Sequence, residues 1–443
     1  MLHYHLRGSA AVKIAYSGGV DSHVLLHAVC ELRQNNPWAV SAIHVNHGLH
    51  AEALVWEDHC LAVCQRLGVA CTVEHLKVRA IGTEGMEAAA RRLRYATLAR
   101  HVGETETLLT AHHLDDQAET VLLQLLRGAG VRGLAGMPVV MNFSGGALVR
   151  PLLGFTRAEL LHYAEQHRLQ WIEDTSNRDL GRSRNFIRHQ VLPLLEQRWP
   201  QAKRVIARAG RHAAEASALV DTIAEVDLPF LTTGEHGTIS IPALRRLESA
   251  RRRNAIRYWI RQRGFAMPPA QLFEQIVHVV EQSPRSRHAT ITWPGAEVRR
   301  YRDRLLIVAP RPNADAKIDI TWNFAQPLEV PGTGYILCLE RTLGSGLSAQ
   351  RLSGKTARVR LRRGGESIRL PGRQHHHKLK KLFQDAGVPP WERQRLPLIF
   401  IDDELVAVGD RWVSAAFAAQ KGESSWRIVL KPAGKVPDPI AVV

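Results

Sequence analysis

Two periods of hydrophobicity alternate along the first third of the chain. Val12-Lys13-Ile14-Ala15-Tyr16 is a short, mostly apolar run bounded by Ser-Gly-Gly, which is the pattern of a buried strand. His23 to Val29 then sets apolar residues at helical spacing, with Asp21 and Ser22 as capping residues in front. Ala39 to Val45 and Val69 to Leu76 read as further strands, with Glu57 to Leu67 as the helix between them. Glu84 to His101 follows as a helix, Thr107 to Ala111 as a strand, and a helix opening near His112 runs through Leu126 and stops at Gly128. Strand and helix in alternation predict an α/β domain on a doubly wound parallel sheet. Ligands bind such sheets beyond the carboxyl ends of the strands, where Ser17 and His47 would both lie.

The texture changes from about Gln201. Ala202 to Val226 is a long helical run, Thr232 to Gly237 a break, and Leu244 to Arg263 a second helical run bearing Arg251, Arg252, Arg253, Arg257 and Arg261. Residues 289–308 alternate like short strands, and Ala309 to Asp315 reads as a linker. The expected organisation is therefore an α/β domain over 1–212, a mainly helical middle domain over 213–325, and a small α+β C-terminal domain over 350–435.

Charge narrows the class of partner. The 443 residues carry a net charge of +17, which favours a polyanion, nucleic acid before an anionic membrane. Positions 351–400 hold thirteen Lys or Arg against three Asp or Glu, including Lys378, Lys380 and Lys381. Arg358-Val359-Arg360-Leu361-Arg362 alternates with period two, giving a strand one basic face. This stretch is the densest nucleic-acid footprint in the chain. The arginines of the middle domain carry two readings of equal weight, a solvated face or RNA phosphate contact. His375-His376-His377 reads as a solvated run or an addition to RNA contact rather than a metal site. No stretch reads as a membrane span or a signal peptide, so the expectation is a cytoplasmic protein with no membrane partner. Five cysteines are an odd number, and Cys60 and Cys64 stand one residue too far apart for the usual redox or zinc pair, so reduced thiols are expected.

Ser17-Gly18-Gly19-Val20-Asp21-Ser22 joins the first strand to the first helix. Two glycines let the backbone turn its N–H groups into one concavity, and the helix dipole points at the same spot, which makes an anion site suited to phosphate. The loop lacks the G-x-x-x-x-G-K-[ST] spacing, so no lysine follows the phosphates. Gly354-Lys355-Thr356 is a decoy, because the glycine required at 349 is Ala349. The hexapeptide resembles instead the pyrophosphate loop of the N-type ATP pyrophosphatases. That resemblance implies cleavage of ATP between its α- and β-phosphates, adenylation of a carbonyl oxygen, and ATP held by Ser17, Gly18, Gly19, Val20, Asp21 and Ser22.

Other candidates carry two readings each. His44, Asn46 and His47 line a nucleotide pocket or are polar loop residues. Arg91 and Arg94 share a helix face and either sit in a solvated helix, Glu87 pairing with Arg91, or reach phosphate. Asp116 and Glu119 open a helix three residues apart and could hold Mg²⁺ or an ammonium group, while Asp115 could be a cap alone. A metal-hydrolase site lacks a further histidine pair, so no residue is assigned as a dedicated metal ligand. Arg184, Asn185 and Arg188, beside Arg182 and after Asp174 to Asn177, form either a solvated turn or a phosphate contact.

A narrower resemblance appears in the order of the motifs. Ser-Gly-Gly-Val-Asp-Ser is followed by Val45 to Leu49, Glu87 to Arg91, Ala111 to Thr120, Arg127 to Met137, Arg150 to Leu153, Arg184 to Arg188 and Val191 to Pro193. Together they resemble the tRNA(Ile)-lysidine synthetases, and about Lys355 to Leu430 resembles that family's C-terminal domain. The resemblance implies ATP with Mg²⁺, a PP-loop catalytic domain, and a CAU-anticodon isoleucine tRNA. In that chemistry the wobble cytidine is adenylated at its C2 oxygen, the ε-amine of free L-lysine attacks C2, and AMP and diphosphate are released. Asp21, Arg91, Asp116, Glu119 and Arg184 are then the expected catalytic residues. Sulfur insertion would need a cysteine pair that is not placed for it, amidotransferase-coupled chemistry leaves the basic C-terminal domain unexplained, and a non-catalytic RNA-binding module leaves the intact loop and Asp21 unexplained. The oligomeric state stays open, a homodimer included.

Overall fold

A computed structural model describes residues 6, 9–36, 38–48, 52–76, 86–173, 179–233, 237–281, 289–310 and 317–433, except the side chains of 86–88. The chain divides into two compact units, Met1–Ile223 and Ala224–Val443.

In the first unit β1 (Ala11–Ala15) is the inner strand on which the sheet is built. Its Val12 and Ile14 are fully buried. β1 pairs in parallel with β2 (Ala39–Asn46) on one side, Val12 opposite Val40, and with β4 (Glu106–Leu109) on the other, Val12 opposite Thr107. β2 continues in parallel to β3 (Ala70–His75), and β4 to β6 (Gly146–Val149), giving the order β3-β2-β1-β4-β6-β5. β5 (Val140–Phe143) closes the sheet antiparallel to β6, an edge hairpin the periodicity did not announce. The strand order reverses between β1 and β4, the switch point at which a doubly wound sheet opens its ligand crevice.

The helices between these strands are α1 (Val20–Arg33), α2 (Ala53–Arg66), α3 (Met86–Arg100) and α4 (Leu114–Leu126), followed by the short α5 (Val131–Leu134) and α6 (Arg157–Gln166). α2 begins a turn before the expected Glu57, because Asn46 accepts the Gly48 N–H and donates to the Ala53 carbonyl, folding the β2–α2 connection tightly onto the helix start. α7 (Ser183–Phe186) passes through a π-helical turn, Ile187–Val191, into α8 (Leu192–Arg198), and α9 (Ala202–Leu231) follows. The linker Ala309–Asp315, the loop Asp174–Asn177 and the side chain of Glu87 lie wholly or largely outside the described residues.

In the second unit a five-stranded antiparallel sheet, β7 (Thr232–Thr233), β8 (Thr238–Ser240), β9 (Thr290–Trp293), β10 (Ala296–Tyr301) and β11 (Arg304–Val308), packs with helices around Trp259, Ile276 and Leu305. The single helix expected over Leu244 to Arg263 is two, α10 (Ile241–Arg246) and α11 (Ser249–Gln262), before α12 (Ala270–Glu281). Leu247 and Glu248 are extended (ψ 145° and 151°), and Arg252 donates to the Leu244 and Leu247 carbonyls that the break sets free. The C-terminal portion adds antiparallel sheets with its own apolar core, including the strand Ala357–Arg360. That strand buries Ala357 and Val359, while Arg358 and Arg360 share the Asp319 carboxylate of the adjacent strand. Among the described residues no helix is long and apolar enough to cross a membrane.

Candidate active site

The loop after β1 takes its shape from its own side chains. Ser22 Oγ donates to the Gly19 carbonyl at 2.9 Å and accepts the Ser17 N–H at 3.2 Å, with Ser17 Oγ 3.1 Å away. Gly18 has φ +83°, and a Cβ there would stand 2.8 Å from Ile172 Cδ1 and 3.0 Å from Cys60 Sγ, so conformation and space both require glycine. Gly19 is the N-cap of α1 and offers no side-chain cap, so the first-turn N–H groups face the crevice.

Above the loop lies a cavity of about 650 Å³. Ala15, Ile43, Val45, Ala53 and Trp56 contribute apolar lining, and Arg91, Arg94, Tyr95, His47 and His112 a basic and aromatic wall, with Tyr95 packed against the same apolar cluster as Ala15 and Val45. His44, Asn46 and His47 all line it, but with different duties. His44 Nδ1 is bound at 3.0 Å to the Tyr16 carbonyl, and Asn46 donates to Glu57 Oε2 at 2.8 Å, so these two brace β2. His47 keeps a buried Nδ1 without a partner, and burial, with Arg94 nearby, lowers it to about 4. Burial likewise lowers His112 to about 3, its Nδ1 at 2.9 Å from Thr110 Oγ1. Both rings are therefore neutral at physiological pH.

Arg91 and Arg94 hold their guanidinium carbons 5.0 and 5.6 Å from the Tyr95 ring centre. Among the described residues neither has a carboxylate partner; Glu87, the partner of the ion-paired reading, has its side chain outside the described residues. Arg150, only 1% exposed, donates to the Pro138 carbonyl at 2.8 Å and brings a third guanidinium to Tyr95. Burial would raise the Tyr95 phenol, but Arg91, Arg94 and Arg150 together pull it below its ordinary value. Arg150 was legible only as part of a motif; nothing in its spacing marked it for this wall.

Asp21 sits in the first turn of α1, its Oδ2 3.7 Å from His113 Nε2 and its Oδ1 buried without a partner. Burial raises its pKa, and Asp116 adds to that against the pull of His113. His113 caps α4 by donating its N–H to Asp116 Oδ2 at 3.1 Å, and its ring stands among Asp21, Asp115 and Asp116. Asp116 and Glu119, on one side of α4, are gripped by two arginines. Arg184 donates from Nε to Glu119 Oε2 (2.7 Å) and from a terminal nitrogen to Asp116 Oδ1 (2.9 Å). Arg188 donates from Nε to Glu119 Oε1 (2.6 Å) and from its terminal nitrogen to Asp116 Oδ1 and Glu119 Oε2 (both 3.0 Å). Glu119 is wholly buried. Burial would raise Asp116, but His113, Arg184, His112 and Arg188 hold it down at about 2. Arg184 and Arg188 thus belong to one lattice with Asp116 and Glu119, while Arg182 lines the cavity. Arg188, which sequence reasoning left in a basic cluster, contributes three bonds here against the two of Arg184.

Asp115 does act as a cap, but for another helix: its Oδ1 accepts the Arg157 N–H at the start of α6 (3.0 Å), and its Oδ2 holds Lys203 Nζ at 2.8 Å. Lys203 also reaches Glu196 at 3.1 Å. These groups, with Glu119, Arg157 and Arg188, line a second cavity of about 370 Å³. Among the described residues there is no cluster of His, Cys, Asp and Glu able to hold a metal by protein donors alone.

Comparison with known proteins gives the family of the chain. Residues 2–195 match the PP-loop domain family, 239–306 the TilS substrate binding domain, and 357–430 the TilS substrate C-terminal domain. A tRNA(Ile)-lysidine synthase of Coxiella burnetii is 41% identical over 419 residues, 95% of this chain and 93% of the relative. One of Methylococcus capsulatus is 42% identical over 417 residues, 93% and 94% of the two chains. Among solved structures, a U34-tRNA thiolase from Methanococcus maripaludis aligns with a TM-score of 0.40 at 22% identity, over 46% of this chain and 72% of that one.

Proposed function

The chain belongs to the tRNA(Ile)-lysidine synthase family, and on that premise we propose that it forms lysidine on CAU-anticodon tRNA(Ile) at the expense of ATP. The observation that carries the reading is the convergence on one crevice of the glycine loop, apolar lining and the Arg91 and Arg94 guanidiniums, with the Asp116–Glu119–Arg184–Arg188 lattice joined to the loop's Asp21 through His113.

ATP lies with its adenine in the slot of Ile43, Val45 and Trp56 and its β- and γ-phosphates on the backbone N–H groups of Gly18 to Ser22. The C2 oxygen of the wobble cytidine attacks the α-phosphorus, pyrophosphate leaves, and the base becomes an adenylate ester. Activation converts a poor leaving oxygen into a phosphate ester, dividing one difficult substitution into two easier ones. Arg91 and Arg94 are suited to offset the negative charge that builds on the phosphates. The ε-amine of lysine then attacks C2, and AMP departs.

Mg²⁺ fits the acidic side of the crevice: the buried, partnerless Oδ1 of Asp21, with Asp116 beside it, is an acceptor that a cation would satisfy. When bound it would offset phosphate charge in the transferring group. Glu119 has both oxygens taken by arginine, which supports a positioning role for it, holding Arg184 and Arg188 in place. In the second cavity Asp115 and Glu196 are likewise engaged, by the Lys203 ammonium, which supports a positioning role for them rather than a vacant receptor for free lysine. The middle segment 213–325 and the C-terminal segment 350–435 supply RNA contacts.

The test is incubation of the full chain with ATP, Mg²⁺, labelled lysine and unmodified CAU-anticodon tRNA(Ile), followed by nucleoside mass spectrometry. A lysine adduct on cytidine, with equimolar AMP and pyrophosphate, is expected. Pyrophosphate release without a lysine adduct would overturn the choice of nucleophile, and no ATP turnover with any tRNA would overturn the reading.

A further inference from the structure

Asn46 closes the carboxyl end of β2, and its buried side-chain amide is engaged on both sides within the protein. Its Oδ1 accepts the Gly48 N–H at 2.9 Å, and its Nδ2 donates to the Ala53 carbonyl at 3.3 Å and to Glu57 Oε2 at 2.8 Å. One acceptor and two donors in use fix which way round the amide lies. Glu57 Oε2 is the point at which these contacts meet a third element, because it also takes His75 Nε2, from the end of β3, at 2.9 Å. Asn46 and His75 stand opposite each other in the parallel register, and the Leu76 N–H bonds the Asn46 carbonyl at 2.8 Å, so both strand ends reach Glu57 together. The Asn46 amide, with His75 behind it, holds the Glu57 carboxyl below its usual range.

What Glu57 holds is part of the crevice. Asn46, His47, Gly48, Ala53 and Trp56 all line the cavity above the glycine loop, and Glu57 is not part of that lining. Trp56 precedes Glu57 on α2. On the other side, the bond from Gly48 to Asn46 arches the backbone over His47, and Gly48 takes φ +62° to make the turn. A single carboxylate oxygen therefore ties together two stretches of the lining that come from different elements, the strand end at 46–48 and the helix start at 53–56. A hydrogen bond to an ionised acceptor is stronger than one between neutral groups, so a carboxylate suits this duty.

We propose that Glu57 is a positioning residue for the nucleotide base: through Asn46 it fixes where His47 stands relative to Trp56, and with that the selection of ATP over other nucleoside triphosphates. The proposal rests on the reading of the nucleotide as ATP and adds to it a group, outside the cavity, that governs how closely the base is fitted. Asn46 is the partner through which Glu57 acts. His75, its side chain 63% exposed, is the dispensable one.

The experiment measures binding of ATP and of GTP to the full chain by calorimetry, and the KM values for ATP, lysine and tRNA, for wild type, Glu57→Ala, Glu57→Gln and His75→Gln. Glu57→Ala is expected to weaken ATP binding and raise the KM for ATP by about three- to tenfold, the worth of a hydrogen bond. The preference for ATP over GTP should narrow by a similar factor, while KM for tRNA and lysine stay near wild type. Glu57→Gln keeps an acceptor for Asn46 and should recover most of the loss, and His75→Gln should stay near wild type. A merely structural role would lower the melting temperature and leave the KM for ATP and the ATP-to-GTP ratio of the folded protein unchanged, and that result in Glu57→Ala overturns the proposal. Equal rises in all three KM values would overturn it too. The pair is also probed from the other side. Asn46→Asp sets two carboxylates against each other, and adding Glu57→Gln restores donor and acceptor with their places exchanged. The double variant should regain ATP affinity that Asn46→Asp loses; if it does not, the clamp is overturned even where Glu57→Ala fails to fold. Wild-type protein that binds neither nucleotide would sink the ATP reading and the clamp's role with it, whereas ATP binding that Glu57→Ala leaves untouched would sink the clamp alone.

Discussion

Arg188 lies sixty-nine residues from Glu119 in the chain, yet its Nε reaches Glu119 Oε1 at 2.6 Å and its terminal nitrogen spans Glu119 and Asp116 at 3.0 Å each. The π-helical turn that Arg188 occupies, Ile187–Val191, follows directly on the helix that carries Arg184. A site that must bring an RNA base, a nucleotide and an amine together needs cations at defined positions, and two carboxylates on one helix face supply the anchors.

Glu119→Gln should therefore cost more than one hydrogen bond. It leaves two guanidiniums sharing Asp116 alone, and removing one partner of a buried pair costs about 3–5 kcal/mol. Arg184 and Arg188 are 30% and 23% exposed, so solvent lowers the figure here to about 2 kcal/mol. Arg184→Lys is the sharper probe, because it keeps the charge and loses the fork. Lysidine formation should fall about 100-fold, within the range seen when one fixed electrostatic donor is lost, with the melting temperature lowered by only a few degrees. Full activity in Arg184→Lys would show that the fork does nothing for the chemistry.

Gly18→Ala tests the loop. Alanine at φ +83° carries a backbone penalty of about 1–2 kcal/mol, and its Cβ would meet Ile172 at 2.8 Å. The loop and the 172 segment must separate, which spoils the Ile172 N–H bond to the Gly18 carbonyl at 3.0 Å. ATP-dependent pyrophosphate release should be reduced at least tenfold, with tRNA affinity unchanged in a filter-binding assay. Wild-type release would mean that the loop does not hold the phosphates.

His112 and Asp116 are two of the groups that set the pH dependence of stability, and His47 and His23, each lowered to about 4, act in the same direction. The folded protein keeps His112 neutral down to about 3, whereas an unfolded chain takes the proton near 6.5. The unfolded state thus binds more protons between those values. The histidine's contribution is complete above pH 6.5 and is lost as pH falls toward 3, at a rate approaching about 1.4 kcal/mol per pH unit. Asp116, held at about 2 against an ordinary 3.8, adds a second loss as pH falls below 3.8. Denaturant unfolding from pH 7.5 to 4 should show a declining stability, and His112→Gln should make the decline shallower. An unaltered decline in that variant would refute the assignment.

What could be seen in the sequence, and what could not, divides by distance along the chain. The Ser17–Ser22 loop was legible because its glycines, its cap and its strand are neighbours, and β1, α1 and the parallel order all follow from local period. Asp116 and Glu119 could be seen to face one way, but their arginine partners are 65–72 residues off, so the choice between metal, ammonium and structural duty was not encoded locally. Arg150 looked like one basic residue before a proline, and only the fold seals it beneath Tyr95. The break at Leu247–Glu248 was hidden because apolar spacing continues through it, and it is visible only in the carbonyls that Arg252 takes up.

Trp56 was hidden for the same reason: one aromatic near the start of a helix has many uses, and its place in the same cavity as Ile43 and Val45 depends on the β2–α2 connection. It lines the cavity with Ile43 and Val45, while the glycine loop and the start of α1 offer the anion site suited to the phosphates. An adenine in that slot would lie against the indole, and stacking of a base on an aromatic ring is worth about 1–3 kcal/mol. Trp56→Ala should therefore raise the KM for ATP by roughly fivefold to a hundredfold, while KM for tRNA and for lysine stay near wild type. Trp56→Phe, which keeps a ring, should recover most of the loss. A fall in kcat with KM for ATP unchanged would place the adenine elsewhere, and equal rises in all three KM values would mean that the indole supports the fold of the crevice rather than the nucleotide within it.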